Sequence, residues 1–157
     1  AAKHEGEYLR INHPQYQEKY GDSQICTVLA RSFADIGDII RGKDLYIGNK
    51  KEKLDLEKNL KKIFAKIYEK LTDPRAKDHY KDEPDNNFFK LREDWWNANR
   101  YDVWKAITCG SAGGTYFRQT ACAGTSPTQT DCRCIGATVP TYFDYVPQYL
   151  RWFEEWA

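Results

Sequence analysis

Two kinds of side chain in this sequence are grouped closely enough to do chemistry: thiols and lysine ammonium groups. Cys122, Cys132 and Cys134 crowd one stretch, the last two as the C-x-C run CRC, and Cys26 and Cys109 lie upstream. Thiols so placed either hold a metal or close disulfides. A structural zinc site needs two ligand pairs at tight spacing, but His4, His13 and His79 all lie far from these thiols. No metal is therefore expected, and an oxidising compartment accounts for the cysteines better. Five is an odd number, which implies a partner for one thiol, expected beyond Ala157.

The lysines form the second group. Lys50 to Leu71 holds eight lysines and four acids, and Lys58, Lys62, Lys66 and Lys70 recur every fourth residue. On a helix that spacing puts all four on one face. The face is either a solvated surface, supported by Glu57 and Lys61 at i, i+4, or a contact for a sulfated glycan or an acidic protein.

Other chemistry is sparse. Asp35 and Asp38 stand three apart beside Arg31 and Arg41 and read as local ion pairs rather than a catalytic carboxylate pair. No G-x-S-x-G is present, and GSAGG at 110–114 does not follow a strand and open a helix as a phosphate cradle must. No enzymatic activity and no cofactor are expected.

The elements that must carry these groups are helical. Ile25, Val28, Leu29, Phe33, Ile36 and Ile40 recur at helical spacing behind Asp22 or Ser23 as N-cap, with Gly42 as the stop. Gly37 inside that helix costs ~1 kcal/mol against alanine, so a close crossing is expected there. Leu56, Leu60, Ile63, Phe64, Ile67 and Leu71 make a core stripe for a second helix, opposite the lysines. In the third, within DWWNANRYDVWKAITC, Trp96, Arg100, Val103, Trp104 and Ile107 share one side and read as core. Arg100 then needs an acid, with Asp35 or Asp38 the candidates. Residues 1 to 21 read as polar and irregular, and 110–139 as a long loop with five of the ten glycines. A fourth helix starts near Pro147. Antiparallel packing of the first and third helices predicts a Cys26 to Cys109 disulfide.

The balance of 24 basic against 23 acidic side chains gives no overall field for nucleic acid or an anionic membrane, and DWWNANRYD lacks the basic surround that base stacking uses. No run approaches the ~18 apolar residues of a membrane span, and the first residues lack a signal-peptide core. The chain reads as cytosolic or as a piece of a longer secreted or anchored parent.

ICTVLARSFADIGDIIRGKDLYIG, LREDWWNANRYDVWKAITC, DCRC and VPTYFDYVPQYLRWFEEWA, in that order, resemble the Duffy-binding-like domain, alpha class, of the malaria parasite's variant erythrocyte membrane antigens. The resemblance runs from about Tyr20 to Ala157. It implies an all-α, disulfide-stapled helical bundle with a long Cys/Gly-rich loop. Residues 20–109 would be the bundle of a second subdomain, 110–139 a variable loop and 140–157 the truncated first helix of a third, the first subdomain being absent. It further implies an adhesion module on the infected erythrocyte surface, anchored only through its parent, that binds an erythrocyte or endothelial receptor or a sulfated glycan and meets host antibodies. The other reading is a helical scaffold that positions neighbouring receptor-binding domains without a ligand of its own.

Overall fold

The structure, a computed structural model, describes residues 1–20, 25–45, 50–81, 87–109, 132–134 and 138–151, with backbone alone for 13–20 and 25. Helix α1 spans Ala2–Tyr20, α2 Ile25–Arg41, α3 Lys50–Glu69, α4 Pro74–Tyr80 and α5 Phe89–Ile107, followed by a 3-10 turn at Phe143–Tyr145. Among the described residues every regular element is helical, as expected, and no helix is long and apolar enough to cross a membrane. The chain forms two compact units, Ala1–Gly37 with Asn99–Ala157, and Asp38–Ala98.

In the first unit, Cys26, Leu29, Ala30, Phe33 and Ala34 of α2 are buried at helical spacing. Trp104 of α5 is fully buried and meets the Phe33 ring edge-on, centroids 5.3 Å apart. Its indole Nε1 donates to the Cys132 carbonyl at 3.1 Å. Arg133 donates to the Lys105 carbonyl at 2.7 Å and to Thr108 Oγ1 at 2.9 Å, so two groups at the end of α5 find partners. These bonds lay the CRC run across the end of α5.

That placement corrects the disulfide expectation. Cys26 bonds to Cys132, with their Cα atoms 5.5 Å apart, and Cys109 is an exposed free thiol. The first turn of α2 and the last turns of α5 are joined through Cys132, which bonds to Cys26 and accepts from Trp104, whereas Cys109 lies beyond the final turn and is exposed. The buried sulfur that reaches Cys26 comes from the returning segment. Closing a loop of 106 residues removes unfolded-chain entropy worth ~4–5 kcal/mol in the loop-closure account. Cys132 has a positive φ of 61°, a conformation that costs a non-glycine residue ~1–3 kcal/mol; its crosslink and the Trp104 bond hold it there. Cys134 is also disulfide-bonded. Cys122 and most of 110–139 lie outside the described residues.

Arg100 likewise takes a different partner from the two expected. Its Nε and Nη2 reach the two carboxylate oxygens of Asp144 at 2.9 and 2.7 Å, and Nη2 also donates to the Thr141 carbonyl. The rings of Phe33, Tyr142 and Tyr145 lie 5.6, 5.5 and 5.0 Å from the guanidinium. Asp144 is buried in the 3-10 turn and needs this two-pronged donor. Asp35 is engaged by Arg151 at 3.0 Å instead.

The N-terminal stretch is helix rather than irregular chain. Its apolar residues show no helical periodicity; tertiary contact decides the outcome. Gly6 lies so close to α5 that a Cβ there would overlap the Ile107 carbonyl oxygen. Ser32 donates to Glu5 at 2.9 Å, and Leu9 is buried.

In the second unit, α2 ends where the sequence places its stop. Gly42 has φ +74°, its N–H bonds to the Ile39 carbonyl, and the Lys43 N–H bonds to that of Asp38, the paired bonds of a Schellman ending. Asp38 pairs with Arg41 at 3.2 Å, the local ion pair expected. Asp73 caps α4 by accepting from the Arg75 N–H at 2.8 Å, with Pro74 in the first turn. Asp73-Pro74 thus opens a short helix soon after α3 ends. In the first unit a further helical turn begins at Pro147, whose carbonyl accepts from the Leu150 and Arg151 N–H groups.

Two substitutions test the first unit by thermal unfolding. Trp104→Ala should cost ~3–5 kcal/mol through the cavity it leaves. Gly6→Ala should cost ~1–3 kcal/mol, because backbone rather than a mobile side chain blocks the added methyl; a variant as stable as the parent would show that α1 shifts on α5 at no cost.

Candidate functional site

The second unit carries the lysine face. Leucine, lysine and glutamate make α3 a strong helix former on propensity alone. Lys58, Lys62, Lys66 and Lys70 are all exposed. Lys70 follows the last α3 residue, but its N–H still bonds to the Lys66 carbonyl at 3.2 Å, so it continues the row. Neighbours in that row rise by ~6 Å. None of the four pairs with an acid among the described residues.

The rotation of α3 that turns this face outward is set by Glu57. The sequence suggests Lys61 as its partner; the structure gives it to Arg92. Arg92 is fully buried, and its Nη1 and Nη2 reach the two Glu57 oxygens at 2.6 and 3.1 Å. The other guanidinium donors go to main-chain carbonyls: Nε to Ile40 at 2.6 Å, Nη2 to Ile39 at 3.2 Å and Nη1 to Asn87 at 3.3 Å. The rings of Phe64 and Phe89 lie 5.9 and 5.5 Å from its carbon. Arg92 was not singled out from the sequence, although a signal was present: it stands one i, i−4 step before Trp96, in the same row as Arg100 and Trp104.

The expected core stripe of α3 is only half used. Phe64 is buried, and Leu60 and Ile67 pack partly against it, Phe88 and Leu91. Leu56 and Ile63 remain 45% and 53% exposed. Phe64, at the centre of the buried arc, meets Trp95 edge-on at 6.0 Å. Glu57 and Phe64 together turn α3 so that its core arc is narrower than its apolar stripe.

Tyr80, packed partly against the Phe64 cluster, donates to Asp94 at 2.5 Å. That hydrogen bond first, then burial and the carboxylate charge, raise the Tyr80 pKa above the ordinary tyrosine value. Lys81, by hydrogen bond and then by charge, lowers the pKa of exposed Asp78. Neither pair resembles an acid–base couple facing a substrate, and among the described residues no three His, Cys, Asp or Glu side chains converge as metal ligands.

The profile of the Duffy binding domain matches residues 1–151. The chain is similar to the crystal structure of the NTS-DBL1(alpha-1) domain of Plasmodium falciparum membrane protein 1 from the varO strain, at 47% identity and a TM-score of 0.78. The match covers 99% of this chain and 35% of that one. A search of curated proteins gave no match.

Glu57→Gln should destabilise the chain toward the lower end of the ~3–5 kcal/mol seen when a buried pair loses one member, since Glu57 is 32% exposed. Chemical unfolding measures this; a neutral result would mean that the main-chain carbonyls alone satisfy Arg92. For Tyr80, a folded pKa above the unfolded one means that the Asp94 bond contributes fully below the ordinary tyrosine value. Its contribution is lost as pH climbs past that value toward the folded one. Tyr80→Phe should therefore delete a late step from the alkaline spectrophotometric titration.

Proposed function

Because the chain belongs to the Duffy binding domain family, we propose that it is the adhesive part of a variant surface antigen displayed on infected erythrocytes, with residues 20–109 acting as the second-subdomain bundle. Residues 110–139 are then its variable loop and 140–157 the first helix of a third subdomain. The parent protein supplies the membrane anchor, and a host-cell receptor on erythrocytes or endothelium is the partner. Host antibodies meet the same surface.

The observation that supports a contact face is the row Lys58, Lys62, Lys66 and Lys70, exposed and without acidic partners among the described residues, on a chain whose net charge is only +1. Sulfated glycan is the ligand class that suits it. Separate ammonium groups on flexible stems sum their attraction to a sulfated polymer without a shaped pocket, as happens where lysines contact polyanions.

Reversing Lys58, Lys62 and Lys66 to Glu should abolish retention on heparin while leaving the helical circular dichroism unchanged, since these side chains point away from Phe64. Retention of the parent should fall steadily with added salt, whose screening length is ~8 Å at physiological ionic strength. If the triple variant elutes with the parent, the row is only a solvated surface.

A further inference from the structure

α3 presents more than charge. Leu56, Leu60, Ile63 and Ile67 follow one another at steps of four, three and four residues, the spacing of a seam that meets another helix. Leu60 and Ile67 are half covered by the core, while Leu56 and Ile63 form its open edge. At ~100° per residue, Lys62, Lys66 and Lys70 border that open edge. At the Leu56 end the seam runs into a cleft of about 350 Å³ whose lining includes Ile39, Gly42 and Leu54.

We propose that this edge of α3 docks a helix of a partner protein whose apolar seam is flanked by acidic residues. Charge complementarity selects the occupant. The lysine row borders the seam on its solvent side, and its members have no acids of their own among the described residues. A seam this narrow suits a second helix better than a bilayer, which takes up the broad apolar face of an interfacial helix. The proposal rests on the reading of α3 as the contact face, and adds a protein ligand that needs the apolar residues as well as the lysines.

The test titrates this chain into a fluorescent three-heptad peptide with Leu at a and d and Glu at e and g, followed by anisotropy. The same peptide with Lys for Glu is the control. The acidic peptide should bind and the basic one should not. Leu56→Gln with Ile63→Gln should weaken binding about tenfold or more while heparin retention stays at the parent level. Lys62→Glu with Lys66→Glu should transfer the preference to the basic peptide, and circular dichroism should show both variants folded. Equal binding of the two peptides, parent-like binding by the Leu56/Ile63 variant, or sedimentation with phosphatidylserine vesicles in place of peptide binding overturns the proposal. Heparin retention without peptide binding overturns it too and leaves the glycan reading standing, whereas peptide binding without heparin retention supports it and removes the glycan.

Discussion

One guanidinium organises the second unit. Arg92 has five N–H donors, and all five meet acceptors: two on Glu57, and the carbonyls of Ile39, Ile40 and Asn87. Burying a cation costs several kcal/mol even after relaxation, so the site holds only because no donor is left unpaired. Its partners lie on α2, on α3 and just before the start of α5. The Ile40 carbonyl is among the groups that α2 leaves open at its C-terminus, and the Ile39 carbonyl is shared between Arg92 and the Gly42 N–H. A Cβ at Gly42 would come within 2.7 Å of the Phe89 ring, so the glycine serves both the left-handed turn and the close approach of α5. Glu57 joins α3 to the same guanidinium, and once that bond is made, α3 cannot roll without breaking it. The outward lysine row and the half-open leucine seam are consequences of that fixed rotation.

The row that contains Arg92 explains how a chain with mean hydropathy −0.80 builds a core. Arg92, Trp96, Arg100 and Trp104 alternate along α5, and Arg92, Trp96 and Trp104 are fully buried. Each arginine is covered by aromatic rings as well as by a carboxylate, and Trp96 receives the Arg41 guanidinium at 5.8 Å from its ring centre. Large rings supply apolar area of ~150–250 Å² apiece, and the planar guanidinium stacks among them where an ammonium would keep its water. Cys26, Cys132 and Trp104 do the comparable work in the first unit, tying a distant segment to the ends of α2 and α5.

Periodicity carried the helices that have an apolar stripe. α2, α3 and α5 and the Gly42 stop follow from apolar spacing and a single positive-φ position, both local properties. The family assignment was equally legible, because four separated motifs keep their order. α1 was not, since among the described residues it is held by Gly6 against Ile107 and by Glu5 with Ser32, partners far along the chain. The same cause defeated the pairings. Asp144, which takes Arg100, lies 44 residues away, and Cys132, which takes Cys26, lies 106 away. An Asp three residues from an Arg, as at Asp38 and Arg41, could be paired by inspection. The lysine row was visible; what sequence could not supply was that Glu57 leaves it for Arg92, or that Leu56 and Ile63 would stay open.

These pairings draw four of the arginines into the interior. Arg41, Arg92, Arg100 and Arg151 point inward and engage Asp38, Glu57, Asp144 and Asp35, and Arg41 shares Glu93 with Lys43. Acids committed to interior arginines no longer offset charge at the surface near them, so a net charge of +1 understates how positive the α3 face is. That placement follows from chemistry. A fork of fixed donors matches buried carboxylates and carbonyls in defined directions, whereas a strongly hydrated ammonium on a flexible stem is cheaper to leave in water. A face made of such groups attracts anions over about a Debye length without dictating their arrangement. Selectivity beyond charge must therefore come from the shaped part of the surface, and along the lysine row of α3 that is the apolar edge of Leu56 and Ile63.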